Sequence, residues 1–169
     1  MLITVAVAGV LLALSVPSFS RLLNSTRLTD ASNALLSSMH LARSEAIKRN
    51  GRVTLCKSAN GIACSSAGGW EQGWIVFHDA NQDGERDSDE TIIERMQPLA
   101  NGLKITGNLR VGNYVSFLAN GLSRLNGGGF QAGTVTLCTQ SGAAGEGRQI
   151  VLNAVGRPRV QKLDAVQCA

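Results

Sequence analysis

The sequence predicts an α+β protein in which one long N-terminal helix is followed by an antiparallel sheet or sandwich. Three observations predict it. Residues 1–20 carry no charge and are mostly apolar, and an amphipathic pattern continues from them to residue 50. After Gly51, seven or so short β-rich segments are separated by turn residues. Helix first and strands afterwards argues for segregated layers rather than alternating βαβ units.

Length and composition set the scale. The chain has 169 residues, 44% apolar and 17% charged, which suits one domain plus an appendage. Nineteen glycines and few aromatics imply many turns and a modest core. The net charge of +4 is unevenly spread. Residues 1–70 hold seven Lys/Arg against two Asp/Glu, residues 71–94 one against eight, and residues 95–169 eight against two. A basic C-terminal half beside an acidic island suits a polyanionic partner, although ordinary solvated charge gives the same counts.

The helix comes first. Fifty residues of helix extend about 75 Å, far more than the remaining chain needs in its core. The uncharged run 1–20 is about long enough to cross ~30 Å of hydrocarbon. A cleaved signal peptide brings a basic leading segment and a small-residue cleavage site. Here no basic residue precedes Arg21, and Ser15-Val16-Pro17-Ser18 is a poor site. Residues 1–25 therefore read as a hydrophobic transmembrane and assembly helix. Residues 26–169 read as a globular head that includes the amphipathic half 26–50. Leu28, Ala31, Leu35, Met39, Ala42 and Ala46 recur every three or four residues and form one stripe. Arg27, Asn33, Ser37 and Ser44 take the opposite face, Glu45 can pair with Arg49, and Asn50-Gly51 is a stop signal.

The strands follow. Expected segments are 52–56, 73–77, 91–96, 103–106, 114–118, 133–138 and 148–153, the last two paired across the loop between them. Residues 125–129 read as a glycine-rich link, residues 156–159 as a turn, and 160–168 as a tail. Trp70, Trp74 and Phe77 read as core anchors in preference to a base-stacking platform. The four cysteines, Cys56, Cys64, Cys138 and Cys168, include no C-x-x-C pair and have no histidine nearby, so zinc is not expected. An even count behind a hydrophobic N-terminus favours an exported protein with two disulfides. Three pairings are open. Proximity favours Cys56–Cys64 and leaves Cys138–Cys168.

Taken together, these segments resemble type IV pilin-like proteins of the GspH/FimT group of minor pilins and pseudopilins. The residues that carry the resemblance are the front run to Phe19 with its Pro17, Leu41-Ala-Arg-Ser-Glu-Ala46, and Gly73-Trp-Ile-Val-Phe-His-Asp79 with Asn81, Asp83 and Gly84. Val115 to Gly121, Val135 to Cys138, Arg148 to Asn153 and Gly156-Arg157-Pro158-Arg159 complete the set. The resemblance implies a pilin-like fold, other pilin subunits as partners in a fibre, an inner-membrane location before assembly, and a surface pilus or periplasmic pseudopilus afterwards. Family members begin with a basic leader and carry an early glutamate. Neither is present, so Met1 is expected to fall a few residues inside the mature helix.

Two constellations carry chemistry. Asp79-x-Asn81-x-Asp83-Gly84-x5-Glu90 fits the calcium-loop pattern, in which a glycine at a sharp turn lets one short segment supply hard oxygens. Flanking strands instead of helices, and Arg86 within the loop, favour a solvated acidic turn, and no other cofactor is expected. The second constellation is Arg157 and Arg159 around Pro158, with Lys162 and Arg148. Arginine suits phosphate because its planar fork binds two oxygens at once. FimT-type minor pilins of transformable bacteria use a GRxR turn for DNA, so the resemblance implies binding of double-stranded DNA through its backbone during natural transformation. The alternatives are a structural minor pilin that primes pilus assembly and a type II secretion pseudopilin. No nucleophile motif accompanies His78, and the chain is not expected to be an enzyme.

Overall fold

A computed structural model describes the backbone of residues 2–99, 101–139 and 145–166, and the side chains of residues 22–99, 101–139 and 147–164. Helix α1 (Leu2–Arg49) is assigned without a break across Pro17. Of the expected membrane segment, the side chains of residues 1–21 lie outside the described residues. Among the described residues, no helix is long and apolar enough to cross a membrane.

The head half of α1 follows its sequence pattern. Leu28, Ala31, Leu35, Met39, Ala42 and Ala46 are all buried, while Arg27, Asn33, Ser37 and Ser44 are exposed. Glu45 accepts from Arg49 Nε at 2.6 Å and from Lys48 Nζ at 3.2 Å. Those two cations, Arg49 first, hold its carboxyl below the ordinary carboxylate range. The helix stops where expected. Asn50 takes a left-handed φ of 49°, and the Gly51 amide donates to the Ala46 carbonyl at 3.2 Å. Asparagine tolerates that conformation better than most side chains.

Eight strands follow: β1 (Val53–Lys57), β2 (Trp74–His78), β3 (Ile92–Met96), β4 (Leu103–Gly107), β5 (Tyr114–Phe117), β6 (Gly133–Thr139), β7 (Gly145–Leu152) and β8 (Pro158–Val166). They form two four-stranded antiparallel sheets, ordered β3-β2-β1-β5 and β4-β6-β7-β8. One core serves both. Val53, Leu55, Trp74 and Val76 of the first sheet meet Ile105, Val135, Leu137 and Ile150 of the second and the stripe of α1.

Two readings of the sequence need correction here. The segment after Arg159 is not a tail but the edge strand β8, in register with β7 from Leu152↔Pro158 to Gly147↔Leu163. The glycine-rich link is a hairpin turn, closed by the Leu125 amide on the Gly129 carbonyl and by an Arg124↔Phe130 bridge.

All five residues of β1 are buried, because its sheet is covered on both faces. The helix lies on one. Against the other, Cys56, Ile75 and Phe77 form a second apolar cluster with Cys64, Ile92 and Tyr114. The Cys56–Cys64 disulfide fastens the 58–69 loop over that cluster. Lys57 adds a polar tie, donating to the carbonyls of Ser66 and Gly68 at 3.2 and 2.8 Å. Burial lowers its pKa from 10.5, an effect that Glu71 opposes. Cys138 is also disulfide-bonded. Its expected partner, Cys168, lies outside the described residues.

The bridged cysteines are eight residues apart. In the chain-entropy account a loop of that size is worth about 2.5 kcal/mol. Replacing both with serine is expected to lower stability by about that amount in urea denaturation. An unchanged midpoint would show that packing alone holds the loop.

Candidate functional site

The basic turn is built by close backbone approach. The Gly156 amide donates to the Asn153 carbonyl at 3.0 Å, and Asn153 Oδ1 accepts from the Arg157 amide at 2.9 Å. Gly156 takes a φ of +73°, and a Cβ there would stand 2.2 Å from the Gly121 carbonyl oxygen. A second turn, at 119–123, therefore packs directly on the first. Ser123 Oγ joins them, lying 2.6 Å from the Gln131 carbonyl and 3.2 Å from that of Asn153. From the helix, Arg43 Nε donates to the Gly121 carbonyl at 3.0 Å. The site turn is thus fixed by α1 through a second turn.

β8 starts at Pro158, where a missing amide donor is tolerated at the first residue of a strand. Exposure then alternates: Arg157 and Arg159 are exposed and Pro158 between them is buried. Residues two apart on an extended chain share a face and sit about 6.6 Å apart. Both arginines accordingly project from the outer face of the second sheet. Neither makes a side-chain hydrogen bond or ion pair among the described residues. Val151 lies directly beside Arg159, and beyond it the face carries uncharged polar side chains. Gln161 Nε2 donates to Gln149 Oε1 at 3.0 Å, and Gln149 Nε2 to Thr136 Oγ1 at 3.4 Å.

The other two expected residues lie elsewhere. Arg148 is only 4% exposed. Its guanidinium donates to Ser25 Oγ at 3.4 Å, Thr29 Oγ1 at 3.3 Å and the Gly147 carbonyl at 3.0 Å. It ties β7 to α1 and is not presented to a ligand. Lys162 is exposed but pairs in register with Arg148, so its stem leaves the helix side of the sheet. The structure brings Arg157 and Arg159 together and separates them from Arg148 and Lys162.

Sequence reasoning missed Arg43, whose only signal was its place in the helix segment 41–46. It also missed Arg124, which stacks over the Phe130 ring at 3.8 Å to the centroid. Trp70 and Trp74 are fully buried, with indole N–H groups on the Val111 carbonyl at 3.1 Å and Ser38 Oγ at 2.9 Å. Phe77 is buried as well, so none of the three is a stacking platform. His40 is exposed on the helix.

Comparison with known proteins supports this architecture. Crystal structures of the type IV minor pilin FimU of Pseudomonas aeruginosa match in two crystal forms. The first matches at 18% identity over 81% of this chain and 90% of that one, with a TM-score of 0.59. The second matches at 20% identity over 79% and 92%, with a TM-score of 0.55. The minor pseudopilin EpsH from the type 2 secretion system of Vibrio cholerae matches at 10% identity over 82% and 97%, with a TM-score of 0.52. At these identities the likeness concerns the fold. A search of curated proteins finds no match. The profile of the family described as type II transport protein GspH matches residues 31–156, well over half of the chain, which therefore belongs to the GspH family of minor pilins and pseudopilins.

Proposed function

We propose that this chain is a minor pilin that captures double-stranded DNA on the outer edge of its second sheet, with Arg157 and Arg159 on backbone phosphates. One observation carries the reading: two exposed arginines, without side-chain partners among the described residues, share a face of a turn that its neighbours hold in place. Their spacing of about 6.6 Å lets each fork take a separate phosphate. Such contacts fix position and carry no sequence information. A single head is therefore expected to bind at roughly 10⁻⁴–10⁻⁶ M at physiological salt. Several copies in a fibre raise avidity without new contacts. In this reading residues 1–25 anchor the subunit in the inner membrane before assembly, and retraction of the fibre draws bound DNA inward during natural transformation. Lys162, on the other side of the edge strand, contributes long-range attraction.

The test is the double substitution Arg157→Ala/Arg159→Ala in the full chain held in detergent, read by fluorescence anisotropy on a DNA duplex. Affinity is expected to fall at least about tenfold, or 1.4 kcal/mol. Melting temperature should hold, because exposed positions usually change stability by no more than ~0.5 kcal/mol. Wild-type affinity in the folded double variant would rule the arginines out. The second reading, a structural pseudopilin of a type II secretion apparatus, would then lead. It is favoured by the family profile, which is described as a type II transport protein.

A further inference from the structure

The acidic loop between β2 and β3 has no part in the proposed interface. Asp79, at its start, is 1% exposed. Its Oδ2 accepts from Thr54 Oγ1 at 2.7 Å and from the Gly84 amide at 3.1 Å. Its Oδ1 is buried and has no hydrogen-bond partner among the described residues. A buried carboxylate oxygen left without a donor is unfavourable.

The rest of the loop is tied by hydrogen bonds of its own. Gly84, at φ +78°, turns the chain back. Asn81 Nδ2 donates to Asp83 Oδ2 at 2.9 Å and to Asp87 Oδ2 at 2.8 Å, drawing two more carboxylates to one amide. Glu90, 6% exposed, accepts the Ala80 amide on Oε1 at 2.7 Å and the Asp87 amide on Oε2 at 3.2 Å. The first of those bonds brings the far end of the loop back to its start. Arg86 donates to the carbonyls of Ser88 and Glu90. The cation that argued against a metal from sequence alone therefore serves the backbone of the loop.

We propose that residues 79–90 form a calcium site, with Asp79 Oδ1, Asn81 Oδ1 and the carboxylates of Asp83, Asp87 and Glu90 as side-chain ligands. Positions one, three, five, nine and twelve of a twelve-residue loop carry oxygen side chains, and position six is the glycine. Among the described residues no three acidic, histidine or cysteine side chains yet stand together as a ready cage. Binding therefore replaces the Asn81 amide as the group that draws Asp83 and Asp87 together, and Asn81 offers its oxygen instead. An all-oxygen set on a pliable loop suits calcium. Magnesium demands near-ideal octahedral geometry and gives up its water reluctantly, and zinc prefers nitrogen and sulfur donors.

Thermal unfolding of the full chain in detergent, with calcium, magnesium or chelator, tests the site alongside calorimetric titration with calcium chloride. At calcium a hundredfold above its Kd the melting temperature is expected to rise by roughly 5–10 °C over the chelated protein. Magnesium at the same concentration should give less than half that shift. Asp83 is exposed, so Asp83→Ala should fold and lose both the shift and the calorimetric signal. Glu90→Gln should weaken both. Coincident melting curves in calcium and chelator overturn the proposal. So does a shift that survives Asp83→Ala, or one that magnesium reproduces in full.

Discussion

Trp74→Ala is expected to destabilise the protein by about 4–5 kcal/mol, a large part of the 5–15 kcal/mol typical of a folded domain. Trp74 lies on β2, fully buried, facing the helix stripe. Deleting a buried indole leaves a cavity whose cost is about 3–5 kcal/mol in comparable cores. The indole also donates to Ser38 Oγ at 2.9 Å. Ser38 is itself fully buried on α1, so truncation strands its hydroxyl. Trp74→Phe separates the two effects. It keeps most of the packing and should lose about 2 kcal/mol, of which Ser38→Ala in the same background recovers part. Urea midpoints for the four proteins check this. Equal losses for phenylalanine and alanine would show that the hydrogen bond, and not the buried ring, joins helix to sheet.

Gly156→Ala is expected to cost about 3 kcal/mol and to weaken DNA binding as well. A left-handed φ is unfavourable for an L side chain by about 1–2 kcal/mol. The new methyl also meets the Gly121 carbonyl oxygen at 2.2 Å and the Ser123 nitrogen at 3.2 Å. These are backbone atoms and cannot rotate away, which adds about 1–3 kcal/mol of overpacking. The melting temperature should fall by roughly 6–12 °C. Relief of the clash separates the two turns and displaces Arg157, whose amide is held by Asn153 Oδ1. Gly127→Ala is the control, since a Cβ there has nothing within 4 Å. It should change stability by no more than ~0.5 kcal/mol. If Gly156→Ala melts like Gly127→Ala, the packing of the two turns does not fix the basic turn.

Legibility followed the range of the interactions. The helix stripe from Leu28 to Ala46 was readable because its period is local and its burial is uniform. Ser32 and Ser38 were not, since their polarity conceals a burial made acceptable by the Thr29 carbonyl for one hydroxyl and the Trp74 indole for the other. Strand positions were readable from β-rich segments and turn residues. The division into two sheets was not, because alternation in one segment does not name its hydrogen-bonded neighbour. β8 was missed because Gln161, Lys162 and Asp164 dilute its apolar pattern. Its edge position makes a polar strand acceptable, and its register with β7 supplies the pairing. Arg148 illustrates the same limit. Nothing near it in sequence shows that Ser25 and Thr29, one helical turn apart, lie within reach. Within the basic turn, the common direction of Arg157 and Arg159 became visible only with the buried Pro158 between them.

The central claim is that Arg157 and Arg159 bind phosphates, and the salt dependence of DNA affinity tests it most directly. Each phosphate contact on duplex DNA contributes about −0.9 to the slope of log K against log salt concentration. Anisotropy titrations of wild type and the folded Arg157→Ala/Arg159→Ala protein across 50–200 mM salt, roughly the range in which such slopes are resolved, give the two slopes. The double variant is expected to be shallower by about 1.8, with unchanged melting temperature. Parallel slopes would contradict it, because they would place every phosphate contact on other residues.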